Sequence, residues 1–99
     1  MLEDVELSFF AGGGRYETSR FGGPLELVSL SGNISLQDDG YFVHAHAALA
    51  GPDLKLIGGH LNRGVVAVTN EIVLSPSPVR IVRRLEPETG LRGIGFSDV

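Results

Sequence analysis

The three histidines of this chain lie in one stretch, VHAHAALAGPDLKLIGGHL, from Val43 to Leu61. His44 and His46 are separated by one residue, and His60 follows a pair of glycines. On a β-strand, residues i and i+2 point to the same face, so His44 and His46 project together with Phe42 and Ala48. Ala45 and Ala47 then face the other way and permit close packing. Gly51-Pro52-Asp53 lets the chain turn back, so His60 comes from the next strand. Gly58 and Gly59 leave room for a close backbone approach there. Three neutral imidazoles around one cation leave a fourth position open, the arrangement of catalytic zinc sites. Copper, nickel and iron also accept imidazole. Spacing alone leaves the alternative open: His-x-His on a strand also occurs as part of an ordinary polar face, histidine being intermediate in burial.

The elements that must position these residues read as strands and turns. Leu2 to Phe10 and Tyr16 to Phe21 form a hairpin around Ala11-Gly12-Gly13-Gly14. Leu25 to Ser35 is a third strand, with Gly32 marking a bulge or a close contact. Gln37 to Gly40 turns the chain into a fourth strand, Tyr41 to Ala50. Leu54 to Leu61 and Gly64 to Leu74 read as two more, the second rich in β-branched residues. Ser75-Pro76-Ser77-Pro78 cannot be regular, because proline fixes φ and removes a donor. Val79 to Leu85 and Leu91 to Phe96 make a last pair. No stretch makes a convincing long helix.

The totals bound the reading. The 99 residues make a single small domain, 42% hydrophobic and 20% charged. A chain of this length buries only about 60–65% of its unfolded surface. It has no cysteine, so metal binding or oligomerisation are the remaining means of added stability. The formal net charge of −4 weighs against a free-standing nucleic-acid binder. No apolar run reaches the roughly 18 residues of a membrane span. MLEDVELSFF lacks the basic start of a signal peptide, so a cytoplasmic protein is expected. Open sheet edges invite self-association, and the charge-poor segment from Tyr41 to Leu61 is a candidate for a subunit interface.

Two further groups carry chemistry. Glu71 could act as a general base or a fourth ligand, or be an ordinary strand carboxylate. Arg80, Arg83 and Arg84 form the one basic cluster and could bind DNA or a small anion. Such arginines more often pair with nearby acids or guard an edge. Arg80 and Arg84 share a strand face, with Arg83 opposite. Gly12-Gly13-Gly14-Arg15 lacks the ending of a phosphate loop.

LELVSLSGNIS, DGYFVHAHAALAGPD, LIGGHLNRGVVAVTNEIVL and VRRLEPETGLRGIGF, in that order, resemble the plant and prokaryote conserved (PPC) domain, which plants carry beside AT-hooks. The resemblance is strongest over residues 25–96. It implies a compact α+β domain, predominantly antiparallel β-sheet, that assembles as a homotrimer. It also implies the prokaryotic three-histidine type, with one metal ion per subunit, expected to be zinc, on His44, His46 and His60. Relatives usually carry a further N-terminal strand and helix, here missing or shortened. The implied role is a DNA-associated or regulatory assembly module, although the AT-hook core Arg-Gly-Arg-Pro is absent. The alternative is a metal-dependent enzyme acting on a small molecule, by analogy with acetolactate decarboxylase.

Overall fold

A computed structural model describes residues 1–97. Seven strands form one sheet: β1 (Leu2–Gly12), β2 (Arg15–Phe21), β3 (Glu26–Gln37), β4 (Gly40–Ala50), β5 (Leu56–Val66), β6 (Arg80–Glu86) and β7 (Leu91–Ser97). Their spatial order is β2-β1-β5-β4-β3-β6-β7. Every neighbouring pair is antiparallel except β3 and β6, which run parallel at Leu36 and Val82. Four hairpins build most of this order, because short glycine- or aspartate-bearing turns return the chain beside itself. The sheet agrees with the expected antiparallel class. The α part of that class has no counterpart among the described residues, which form no helix. Their dominant pattern is alternation rather than a 3.6-residue repeat. Consequently no helix among them is long and apolar enough to cross a membrane.

One strand expectation is corrected. Leu54–Leu61 and Gly64–Leu74 are not separate strands; a single β5 runs from Leu56 to Val66, and residues 67–79 form no strand. The reason is pairing. β5 lies between β4 and β1, and its ladder with β1 runs out at Leu2 opposite Val66. Beyond that point the β-branched residues meet no neighbouring strand, and a strand without a ladder has unpaired backbone groups.

The sheet is curled. Leu2 N–H donates to the Leu25 carbonyl and Leu25 N–H to the Leu2 carbonyl, both at 2.8 Å. β5 and β4 lie between β1 and β3 in the sheet, so this bridge draws four strands together at one end. Inside the curl sit Leu2, Val5, Leu7, Ala47 and Leu49, flanked by Phe21, Leu25, Leu27, Leu30, Ile57 and Leu61. Alternation, reset by register shifts between Glu3 and Glu6 in β1 and between Leu27 and Ser29 in β3, assigns these to one face: Leu7 lies opposite Leu61, Ala47 opposite Leu30 and Leu49 opposite both Leu27 and Ile57. Burial of a side chain such as Leu49 or Val5, both fully enclosed, contributes about 1.5–3 kcal/mol.

The core is small for the chain. The accessible surface is 7264 Å², whereas a folded monomer of 10.5 kDa exposes about 5,400 Å² by the usual scaling. Exposed apolar side chains contribute to it both in residues 67–79, where Val68, Val73 and Leu74 are 84%, 92% and 73% exposed, and elsewhere, as at Phe9, Tyr41, Leu54 and Phe96.

Leu49→Ala is expected to lower unfolding free energy by about 2–5 kcal/mol, the range for emptying a packed leucine site. Val73→Ala, in the exposed segment, should change monomer stability by less than about 0.5 kcal/mol. Urea titration of both variants measures the contrast.

Candidate metal centre

The face opposite the core carries the histidines. β4 and β5 pair so that His46 stands directly across from His60, and His44 follows two residues away on the His46 side. This is the geometry that same-face spacing and a return at Gly51-Pro52-Asp53 require. Gly58 and Gly59 make the approach possible. A Cβ at Gly58 would lie 2.8 Å from the Ala47 carbonyl oxygen, and one at Gly59 would lie 2.8 Å from that of Ser8. Side chains there would push β4 or β1 away from β5.

The three rings form a cluster. Ring centres are 4.1 Å apart for His46 and His60, 5.0 Å for His44 and His46, and 5.3 Å for His44 and His60. One nitrogen from each lies within 4.8 Å of the others. A tetrahedral zinc with bonds of about 2.0–2.1 Å holds its ligand nitrogens about 3.3 Å apart. Modest side-chain rotation closes that difference, so the donor set fits a single imidazole-binding ion. His46 is exposed while His44 and His60 are half-buried, so the cluster opens to solvent.

Electrostatics favours the neutral, ligating form. Partial burial lowers the pKa of His44, aided by the Arg83 guanidinium and then by His46 and His60. Partial burial lowers that of His60 as well, with His46 as the second cause. Neutral imidazole is the species that binds metal.

Arg83 reaches this face from β6. It donates from Nε to Ser35 Oγ at 3.0 Å, from Nη1 to the Arg92 carbonyl at 3.2 Å and from Nη2 to Asn33 Oδ1 at 2.7 Å. Nη2 also lies 3.3 Å from His44 Nδ1. Guanidinium can only donate, so in this contact Nδ1 is the acceptor. The guanidinium carbon stands 5.5 Å from the centre of the Phe42 ring, which stacks beside His44. Arg83 thus ties the histidine strand to the β6–β7 hairpin. Arg80 and Arg84 alternate to the other side of β6 and are exposed, so the three arginines do not converge. Glu71 is exposed and borders a depression with Met1, Glu26 and Asn70, apart from the histidines.

A second polar group on the same face carried no motif. Ser8 lies opposite both His60 and Thr18. Its hydroxyl is 3.0 Å from Thr18 Oγ1 and accepts from Asn62 Nδ2. Asn62 follows His60 by two residues, so strand parity was the available signal for it. The Arg83 contacts had no such signal, since they depend on the parallel β3–β6 pairing of distant segments.

The Plants and Prokaryotes Conserved (PCC) domain matches residues 1–78. A plant- and prokaryote-conserved (PPC) protein from Pyrococcus horikoshii aligns with a TM-score of 0.72 at 28% identity, over 93% of this chain and 66% of its own. A metal-containing protein from Archaeoglobus fulgidus gives 0.72 at 27% identity, over 92% and 65%. A "Putative DNA-binding protein" from Ralstonia eutropha JMP134 gives 0.79 over 97% and 68%, and at 19% identity it shows the fold alone. The chain spans about two thirds of the length of these structures. A comparison with curated proteins found no match. The histidine cluster is consistent with the three-histidine type, and the chain belongs to the Plants and Prokaryotes Conserved (PCC) domain family.

Proposed function

We propose that this chain is a metal-binding assembly module, one domain over residues 1–99, whose His44, His46 and His60 hold one divalent transition-metal ion per subunit. Zinc is the ion that best suits three neutral imidazoles and an open fourth position. The observation that carries the reading is the convergence of three imidazole nitrogens within 4.8 Å on facing strands. The metal-containing relative from Archaeoglobus fulgidus supports it. The ion would supply Lewis acidity or an activated water. The chain's own residues favour the neutral imidazoles, and because a neutral imidazole has one lone pair, metal binding by His44 would replace its contact with Arg83.

The assembly is proposed to be a cytoplasmic homotrimer. Its support is the large apolar surface left by a single curled sheet, in residues 67–79 and at strand positions such as Phe9, Tyr41 and Phe96. Association of copies is the ordinary way to cover such a surface. The association with DNA is proposed to be indirect. The net charge is −4, and all three nitrogens of Arg83 already donate to acceptors within the chain. The "Putative DNA-binding protein" relative supports the link to DNA at the level of the fold. A second reading, a metal-dependent enzyme acting on a small molecule, draws on the solvent access of the histidines.

Protein purified without chelator is expected to carry about one metal ion per chain, measured by inductively coupled plasma mass spectrometry. His46→Ala should lose it, and retention of full metal content by that variant would remove the site.

The pH dependence has a definite sign. The pKa values of His44 and His60 are lowered in the folded chain, so between the folded and unfolded values the unfolded state binds more protons. The stabilisation is therefore complete above about pH 6.5 and declines as pH falls through the lowered values. Metal release should follow the same direction. Melting temperature between pH 7.5 and 5 checks this, and an unchanged value would contradict it.

Sedimentation is expected to give three times the chain mass. Val73→Glu should shift it toward the monomer, because it places a charge in an apolar interface.

A further inference from the structure

We propose that the groove beside the histidines binds a hydroxylated organic carboxylate of about six carbons, with its carboxylate on the metal and its hydroxyl end on Thr18 and Asn62. The inference rests on the metal reading above. A groove of about 440 Å³ runs along the sheet from the His44–His60 edge. Its borders include Ser8, Tyr16, Thr18, Phe42 and Asn62. That volume lies in the lower half of the range for small-molecule sites.

Charge fixes one end of the ligand. All three metal donors are neutral imidazoles, no acidic side chain borders the groove, and the Arg83 guanidinium stands against His44 and Phe42 at its edge. A divalent ion there keeps its full positive charge until an anion takes the open position. A carboxylate oxygen does this at ordinary bond length.

The polar row fixes the other end. Ser8 is buried, and its hydroxyl is engaged by Thr18 and Asn62. Thr18 and Asn62 are exposed, and Asn62 keeps its amide oxygen and a second N–H for a ligand. These groups match hydroxyls rather than a second charge. Distance sets the length. Asn62 is two residues along β5 from His60, about 6.6 Å, and Thr18 is two strands away, about 10 Å. A two-carbon acid bound to the ion cannot reach either group, whereas a six-carbon chain can. Tyr16, on the β2 side, stands edge-on to His60 with ring centres 5.2 Å apart, and Phe42, on β4 away from Thr18, stacks beside His44 at 6.4 Å. The Tyr16 ring gives the middle of the ligand an apolar wall, and Phe42 walls the metal end.

The experiment uses cobalt(II)-loaded protein and three probes: 6-hydroxyhexanoate, hexanoate and acetate. The visible spectrum of cobalt reports the ion and its fourth ligand, and calorimetry gives affinity. The expected result is a spectral change with 6-hydroxyhexanoate and an affinity several-fold above those of hexanoate and acetate. Thr18→Val and Asn62→Ala should keep the cobalt spectrum and each reduce 6-hydroxyhexanoate affinity about 3- to 10-fold, the loss of one hydrogen bond. Hexanoate affinity should be unchanged. A normal cobalt spectrum with equal binding of hexanoate and 6-hydroxyhexanoate, or with no response to either, overturns this inference and leaves the metal reading intact. Absence of any cobalt spectrum overturns both.

Discussion

The antiparallel pairing of β4 with β5 is the constraint on which the rest of the structure depends. It sets His46 across from His60 on one face while Leu49 meets Ile57 on the other. Because side chains alternate with a period of two, a slip of one residue would bury the histidines and expose the core. The same register therefore decides both stability and chemistry. Glycines at positions 58 and 59 protect it by letting β4 and β1 approach β5 closely on its two sides. A metal ion across His46 and His60 would cross-link the two strands at the register position that the core already selects.

Legibility in the sequence followed the range of the interactions. His44 and His46 share a face by parity alone, and the turn at Gly51-Pro52-Asp53 returns the chain with His60, so the site was readable from local rules. Hairpins were readable for the same reason. The end of β5 was not. Val65 to Val73 has the composition of a strand, yet composition says nothing about whether a neighbour exists to complete its ladder, and β1 supplies one only as far as Val66. Arg83 shows the same limit. Alternation places it opposite Arg80 and Arg84, but only the parallel contact of β3 and β6 brings it to Ser35, Asn33 and His44. A basic cluster in sequence is thus divided between two faces in space.

The two faces of the sheet solve different problems. The inner face is curled by the Leu2–Leu25 bridge into a small core whose fully enclosed side chains are few. The outer face carries a band of polar side chains across the strands: Thr18, Ser8, Asn62, the three histidines, Asn33, Ser35 and Arg83. Polar groups partly removed from water need partners, and these supply one another. Ser8 is buried and satisfied by Thr18 and Asn62, while Ser35 is buried and satisfied by Arg83. The histidines sit at the centre of this band, where both sides are already held in place by hydrogen bonds.

That arrangement bears on the relation between assembly and chemistry. Exposed apolar side chains are found in residues 67–79 and also at the groove beside the histidine cluster, at Tyr16, Phe42 and Val43. In the proposed assembly, burial of residues 67–79 alone would leave the groove open, whereas burial of Phe42 and Val43 would close it. The first arrangement would let a subunit gain stability from its neighbours without sealing the histidines from solvent. An ion held only for structure would be better served by a fourth protein ligand, because closed coordination is what structural sites use. Here the donor set among the described residues stops at three imidazoles, and the polar groups beside them in the groove, Ser8, Thr18 and Asn62, are neutral and bonded to one another.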